Sequence, residues 1–371
     1  IYADESIYEY PMQQGGGNDG RPYSFGRPSS GGSKAAYPCK SYGQGRINPA
    51  YFYGVFDPND MRRDVSITMT GSNGKGVEKL IPFVPNSKAE GGGLTLNKWD
   101  ENRQANPWVA AQRKSGINGP YMRMSEVYLG YAEVCAALGD VVTGKQYLKT
   151  VRERSFPQGL ANTDTFIASF GNDLVRAIIE ERGFEYAGEG DRRWTLIRSG
   201  YLPEDIKRIK DMTKAMMDGL ATKGYYEFEN GNIISAYIWT KLVDAKTIYG
   251  HRLTAQCPTD KVNDPVLYPG WRGQKDNWEE MGLNYGSSTP ATNLAIKGLF
   301  EIVSEEEAAS LESQGYTKVN WGIDLVDNRD EYDKYLFWDY DYVSAPIYLW
   351  PFTPNVMAAG GFTNGYGFKQ E

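Results

Sequence analysis

Residues 179–194 read Ile179-Glu180-Glu181-Arg182-Gly183-Phe184-Glu185-Tyr186-Ala187-Gly188-Glu189-Gly190-Asp191-Arg192-Arg193-Trp194. Acidic and basic side chains stand at helical spacing among aromatic rings, and the chain then turns through Gly188 and Gly190 into an Arg-rich helix. Charges interleaved with rings in this way must meet partners if the helix is to be buried, so the run reads as a structural lock and not as a reaction centre. Arg182 and Glu185, three residues apart, are expected to pair and tie a helical hairpin together, with Arg193 in the same cluster. A chain locked like this is a frame that holds loops.

Helical patterning continues around the lock. Over residues 121–138, Met124, Val127, Tyr131, Cys135 and Leu138 recur at spacings of three and four, which predicts an amphipathic helix ended by Gly139-Asp140. A second helix is predicted over residues 144–154 with Tyr147, Leu148 and Val151 inward, completing a tetratricopeptide-like hairpin. Residues 172–186 and 191–199 supply a second pair, with Leu174, Ile178 and Leu196 among its apolar positions. Two hairpins are too few to stand as a solenoid, so further helices are expected to pack on them. Upstream, glycine runs and Pro22, Pro28, Pro38 and Pro49 make residues 1–118 loop-rich, with the clearest strand at residues 65–70. Downstream, a helix is predicted at 205–220, a strand at 233–239 and a helix at 292–303. Ser304 then resembles the N-cap of a helix with an acidic first turn, and an aromatic, extended tail runs from Lys334. The expected architecture is mainly α: tetratricopeptide-like helical hairpins with long irregular loops and a few short β-strands. Its parts are a loop-rich, ligand-facing segment at 1–118, hairpins at 119–203 and a mixed region at 204–371 packed on them, all one unit.

Composition excludes several classes. A net charge of -7 over 371 residues, with sparse Lys and Arg runs, argues against a nucleic-acid partner. No stretch approaches the roughly 18 to 20 unbroken apolar residues of a membrane span. Cys39, Cys135 and Cys257 form no C-x-x-C pair, so neither a zinc ribbon nor a redox motif is offered. Cys135 reads as a small buried hydrophobe, and Cys39 and Cys257 pair only if the fold brings them together. His251 is the only histidine, which removes His-pair metal sites. Residues 71–76 resemble a phosphate loop but lack Ser or Thr after Lys75, so a plain turn is expected. Asp324, Asp327, Asp330 and Asp333 do not fit the calcium-loop spacing, although an irregular calcium site stays open. Asp339 and Asp341 would share one face of a strand, the raw material of glycoside hydrolysis or simply a solvated edge.

Three motifs in order then carry a resemblance. They are Asn118-Gly119-Pro120-Tyr121-Met122-Arg123-Met124-Ser125-Glu126-Val127-Tyr128-Leu129-Gly130-Tyr131-Ala132-Glu133, the run from Glu180 through Arg193-Trp194, and Leu349-Trp350-Pro351-Phe352. Together they resemble the SusD/RagB family of outer-membrane nutrient-binding lipoproteins, with no family pattern in residues 205–325. Thr195 stands where the family usually has Asp. Family members are generally longer, with earlier hairpins and an N-terminal lipid-anchored Cys. Neither precedes Ile1, so this chain is expected to be the C-terminal part of such a protein. The resemblance implies a protein on the extracellular face of the outer membrane, held there only through a lipid anchor outside this chain. It implies capture of a glycan, or a peptide in some branches, for a TonB-dependent transporter barrel of the SusC type, with no catalysis and no cofactor.

The ligand contacts are sought among rings on loops. Tyr, Trp and Phe make 13% of the chain, many of them among Gly, Pro and Asn. A sugar presents an apolar C–H face ringed by hydroxyls, and so wants exposed rings flanked by amide, carboxylate or guanidinium groups. Asn18, Asp19, Arg21, Tyr23, Phe25, Tyr37, Tyr42, Gln44 and Arg46 form the first such group, and Trp271, Arg272, Gln274, Asn277, Trp278 and Tyr285 the second. The plain alternative is that these rings fold back on the core, as expected for Trp99 and Trp108. A peptide- or protein-binding helical-repeat scaffold is the alternative function, and a glycoside hydrolase ranks last.

Overall fold

The computed structural model describes residues 5–16, 47–72, 78–81, 94–99, 115–156, 159–244 and 292–327, with Arg329, Tyr348, residues 352–361 and Thr363. Helices dominate, with short sheets between them. In order they are β1 (Ser6–Tyr10), a π-helical turn α1 (Ala50–Val55), α2 (Arg62–Ser66), β2 (Ile67–Thr68), β3 (Thr70–Ser72), β4 (Glu78–Leu80), β5 (Thr95–Leu96) and β6 (Gly119–Arg123). Then come α3 (Met124–Ala137), α4 (Val141–Glu153), α5 (Thr163–Ala168), α6 (Leu174–Glu185), α7 (Asp191–Ser199) and α8 (Leu202–Lys223). The rest are β7 (Tyr225–Glu227), β8 (Ile233–Ser235), β9 (Tyr237–Asp244), β10 (Thr292–Lys297), α9 (Glu305–Ser313), β11 (Thr317–Asn320), α10 (Gly322–Asp327) and α11 (Pro354–Gly360).

Local chemistry explains the helix starts. Asp140 caps α4 by accepting from the Thr143 backbone N–H at 3.1 Å, and Asp173 caps α6 by accepting from that of Arg176 at 3.0 Å. Ser304 is the N-cap of α9 above an acidic first turn, as the sequence predicts, and it exchanges hydrogen bonds with Glu307 in a capping box. Pro203 occupies the first turn of α8, and Gly224 ends that helix at φ +77°.

Several expectations are corrected. The strand at 65–70 is split: α2 runs to Ser66, Ile67 and Thr68 pair with β5, and Thr70 begins a separate hairpin with β4. The helix expected from Tyr121 starts at Met124, because residues 119–123 are taken up by antiparallel pairing with β1. Residues 292–297 are a strand, not a helix, since all six pair in register with β9. The strand at 233–239 breaks at Ala236 into β8, paired with β7, and β9. Along α3 the buried face is Ser125, Leu129, Ala132 and Cys135, while Val127, Tyr131 and Leu138, expected inward, are exposed. Small side chains on the buried face let α4 and α6 approach closely.

Two hydrophobic clusters meet at α6. One draws Phe52, Phe56, Ile67 and Leu94 from the first segment, Phe184 from α6, Met216, Met217 and Leu220 from α8, and Ile234, Ile238 and Ile296 from the sheets. The other joins Leu129, Ala132, Leu148, Val151, Ile178 and Tyr186. Every residue of α6 except Val175 is buried.

Candidate functional site

A helix buried on all sides while carrying three glutamates must neutralise them from outside, because an isolated buried carboxylate is prohibitively costly. Glu180 takes Arg192 at 2.8 Å and Arg208 at 3.3 Å, and Glu181 takes Arg62 at 2.7 Å and Arg152 at 2.9 Å. Glu185 is bound by Arg62 at 2.9 Å, by Arg154 and by Arg123. Burial pushes the Glu185 carboxyl up, but Arg62, Arg123, Arg154 and Lys98 outweigh it and hold the group well below the usual carboxylate range. The expected Arg182–Glu185 pair is corrected. Arg182 turns to α7, pairing with Asp191 at 2.5 Å and donating to the Thr195 hydroxyl at 3.2 Å, while Glu185 faces α2 and β6. Thr195 in turn donates to Asp191 at 2.8 Å, so a polar contact joins the two positions. Arg193 reaches the Tyr348 carbonyl at 3.4 Å.

Arg123 connects this lock to the surface. It is buried at the end of β6, donates to the carboxylates of Glu185 and Glu189 (2.8 Å), and lies 4.7 Å above the Tyr186 ring. The β1–β6 ribbon therefore projects from a rigid root. Its register, Ser6↔Arg123, Tyr8↔Met122, Glu9↔Pro120 and Tyr10↔Gly119, is interrupted by bulges around Tyr8. The unpaired residues are Ile7 on β1 and Tyr121 on β6, and bulges are the usual means of re-aiming a side chain. The Tyr121 ring meets that of Tyr8 edge-on at 5.7 Å. Tyr8, Tyr10 and Tyr121 are 58%, 62% and 77% exposed, an open shelf of phenol rings. Beside it Asn118 donates to the Glu9 carboxylate at 2.8 Å and accepts from the Met12 backbone N–H at 3.0 Å. Such an arrangement offers ring faces and polar rims for binding; it has no nucleophile–base pair. Among the described residues no group of three His, Cys, Asp or Glu side chains is placed to hold a metal ion.

The sequence reading missed this shelf. Its signal is the alternation Tyr8-Glu9-Tyr10, too short to stand out among glycines, and the helical spacing takes in Tyr121. The residues it did favour, Asn18, Arg21, Tyr23, Phe25, Tyr37, Tyr42, Trp271 and Trp278, lie outside the described residues, as do Cys39, Cys257, His251, Trp108, Asp339 and Asp341. Trp99 is buried, as expected, and so is Cys135. No helix among the described residues is long and apolar enough to cross a membrane.

A curated relative, SusD-like protein P25 of Formosa agariphila, is 28% identical over 160 residues, covering 43% of this chain and 26% of that protein. Among solved structures, a SusD homolog from Bacteroides thetaiotaomicron aligns at 21% identity with a TM-score of 0.40, over 58% of this chain and 44% of the other. Surface glycan-binding protein A from the same species, solved in complex with laminarihexaose, aligns at 19% identity with a TM-score of 0.37, over 54% of this chain and 44% of the other. The chain thus spans about a quarter of the curated relative and under half of these structures. The model of the SusD family matches residues 2–351, nearly the whole sequence, and the chain belongs to that family.

Proposed function

We propose that the chain captures a glycan at the cell surface and passes it to a TonB-dependent transporter of the outer membrane, as part of nutrient uptake. The single observation that carries this reading is the shelf of Tyr8, Tyr10 and Tyr121 on a ribbon rooted by Arg123. A pyranose ring lays its C–H face on such phenols, whose hydroxyl groups hydrogen-bond to those of the sugar. A stiff mount matters because rings already held in place lose little freedom when a sugar lands. Membership of the SusD family agrees with this role. Asn18, Arg21, Tyr23, Phe25, Tyr37, Tyr42, Trp271 and Trp278 are proposed as further contacts, and attachment to the extracellular face through a lipid anchor belongs to the same proposal.

A protein-binding scaffold is the second reading, favoured by Val127, Tyr131, Val134 and Leu138, an exposed apolar stripe along α3. Calorimetry against polysaccharides and peptides separates the two. Tyr8→Ala and Tyr121→Ala are each expected to weaken glycan binding by about 1 kcal/mol, roughly fivefold in Kd, with the melting temperature unchanged. Wild-type affinity in both variants, or binding of peptides alone, would sink the reading.

A further inference from the structure

The three-stranded sheet gathers lysines and aromatic rings on one face. β9 is flanked by β10 and β11, and Trp239 lies opposite Lys297 on one side and Lys318 on the other. Residues directly across a ladder share a face, and so do residues two apart on a strand. Lys241, Lys297, Lys318, Tyr237 and Trp239 therefore stand on one face, while Ile238 and Ile296 turn to the core. The three ammonium groups are gathered around rings: Lys318 lies 4.6 Å from the Tyr237 ring and 5.3 Å from that of Trp239. Lys241 and Lys297 lie 5.8 Å and 5.9 Å from the Tyr316 ring.

Among the described residues these lysines meet no anion. In a chain of net charge -7, none of the three forms an ion pair among the described residues. None of Glu305, Glu306 and Glu307 in the first turn of α9 pairs with them among the described residues, and Glu307 is committed to its own cap at Ser304. Among the described residues Lys241 donates once, to the Gln314 carbonyl at 2.7 Å, which engages one of its three N–H bonds. Trp239 is buried, and its indole N–H has no acceptor among the described residues. Gly298, at φ +81°, sits against the opposite, benzenoid edge of that ring, where a Cβ would come within 2.8 Å of Cε3. Ammonium groups beside partly open rings are complementary to a sugar that carries negative charge.

We infer that this sheet face, with Lys241, Lys297 and Lys318, is a charge-selective subsite for an anionic polysaccharide, one bearing carboxylate or sulfate ester groups. The inference rests on the glycan-capture reading and narrows its ligand class. Tyr237 and Tyr316 supply ring contact, and the lysines, as mobile point charges, meet the acidic substituents.

The test uses the full chain, titrated calorimetrically with polygalacturonate, dextran sulfate, neutral laminarin and poly-L-glutamate at about 50 and about 200 mM sodium chloride. Binding of polygalacturonate, of dextran sulfate, or of both is expected, the pattern identifying carboxylate, sulfate or either as the recognised group. The double variant Lys297→Gln/Lys318→Gln should weaken that binding roughly tenfold and flatten its salt dependence, with an unchanged melting temperature. Lys297→Arg/Lys318→Arg, which keeps the charge, should restore most of it. Undiminished binding by the Gln variant overturns the subsite, and so does poly-L-glutamate binding as tightly as the acidic glycans. Binding of laminarin alone overturns the subsite but leaves glycan capture standing; silence toward every glycan overturns both.

Discussion

Arg123 shows how much one residue can couple. It ends a surface strand, stacks on Tyr186 and neutralises the buried carboxylate of Glu185 and the half-buried one of Glu189. Removing one member of a buried ion cluster strands the others, and that stranded charge dominates the cost. Arg123→Met should therefore lower unfolding stability by about 3–5 kcal/mol, measured by urea titration, far more than its lost packing alone. Adding Glu185→Gln to it should recover part of the loss, because one uncompensated charge is then gone. If the double variant is no better than the single one, Arg123 acts by packing and not by charge. The same cluster explains why spacing misled at Arg182. Three residues separate it from Glu185, but across a helix buried on all sides each found a stronger partner on another element.

At the level of elements, α6 owes its position to Gly183. A Cβ there would fall 2.5 Å from the Tyr51 hydroxyl and 2.7 Å from Arg192 Nη1, both hemmed in. In an exposed helix Gly→Ala stabilises by up to about 1 kcal/mol. Here Gly183→Ala should destabilise by about 1–3 kcal/mol through overpacking, so the sign of the change in melting temperature decides the matter. What was legible in the sequence follows the range of the interactions. The bounds of α7 and the N-cap at Ser304 were readable because their partners lie within four residues. β10 was not, since its partner β9 lies some fifty residues upstream, and the helical spacing within it carries no trace of that pairing. The inward face of α3 was mistaken because burial there went to Ser125 and Ala132, whose small size matters more than their polarity. The tyrosine shelf was hidden for a third reason: Tyr121 joins Tyr8 only through a bulge, which shifts a side chain without leaving a pattern in the sequence.

For the whole molecule, the buried carboxylates set the response to acid. Burial opposes ionisation of Asp205 as it does of Glu185, yet Arg192 and Arg208 hold Asp205 below its usual value. Both groups have folded values below their unfolded ones. Their contribution is complete above the unfolded value of about 4 and is lost as pH falls toward the folded ones. The urea midpoint should stay level from about pH 8 to about pH 5 and then decline steadily, and Glu185→Gln should flatten that decline. An acid limb unchanged in the variant would assign the sensitivity to other carboxylates. The geometry of α6 has a consequence for assembly as well. Its charged side chains leave in several directions, each already engaged by partners on other elements, so the helix behaves as a keyed shaft in its bearing. Twist it or slide it by one residue and several couples part at once, leaving naked charge in a dry interior; the chain is thereby denied near-miss threadings of its own middle.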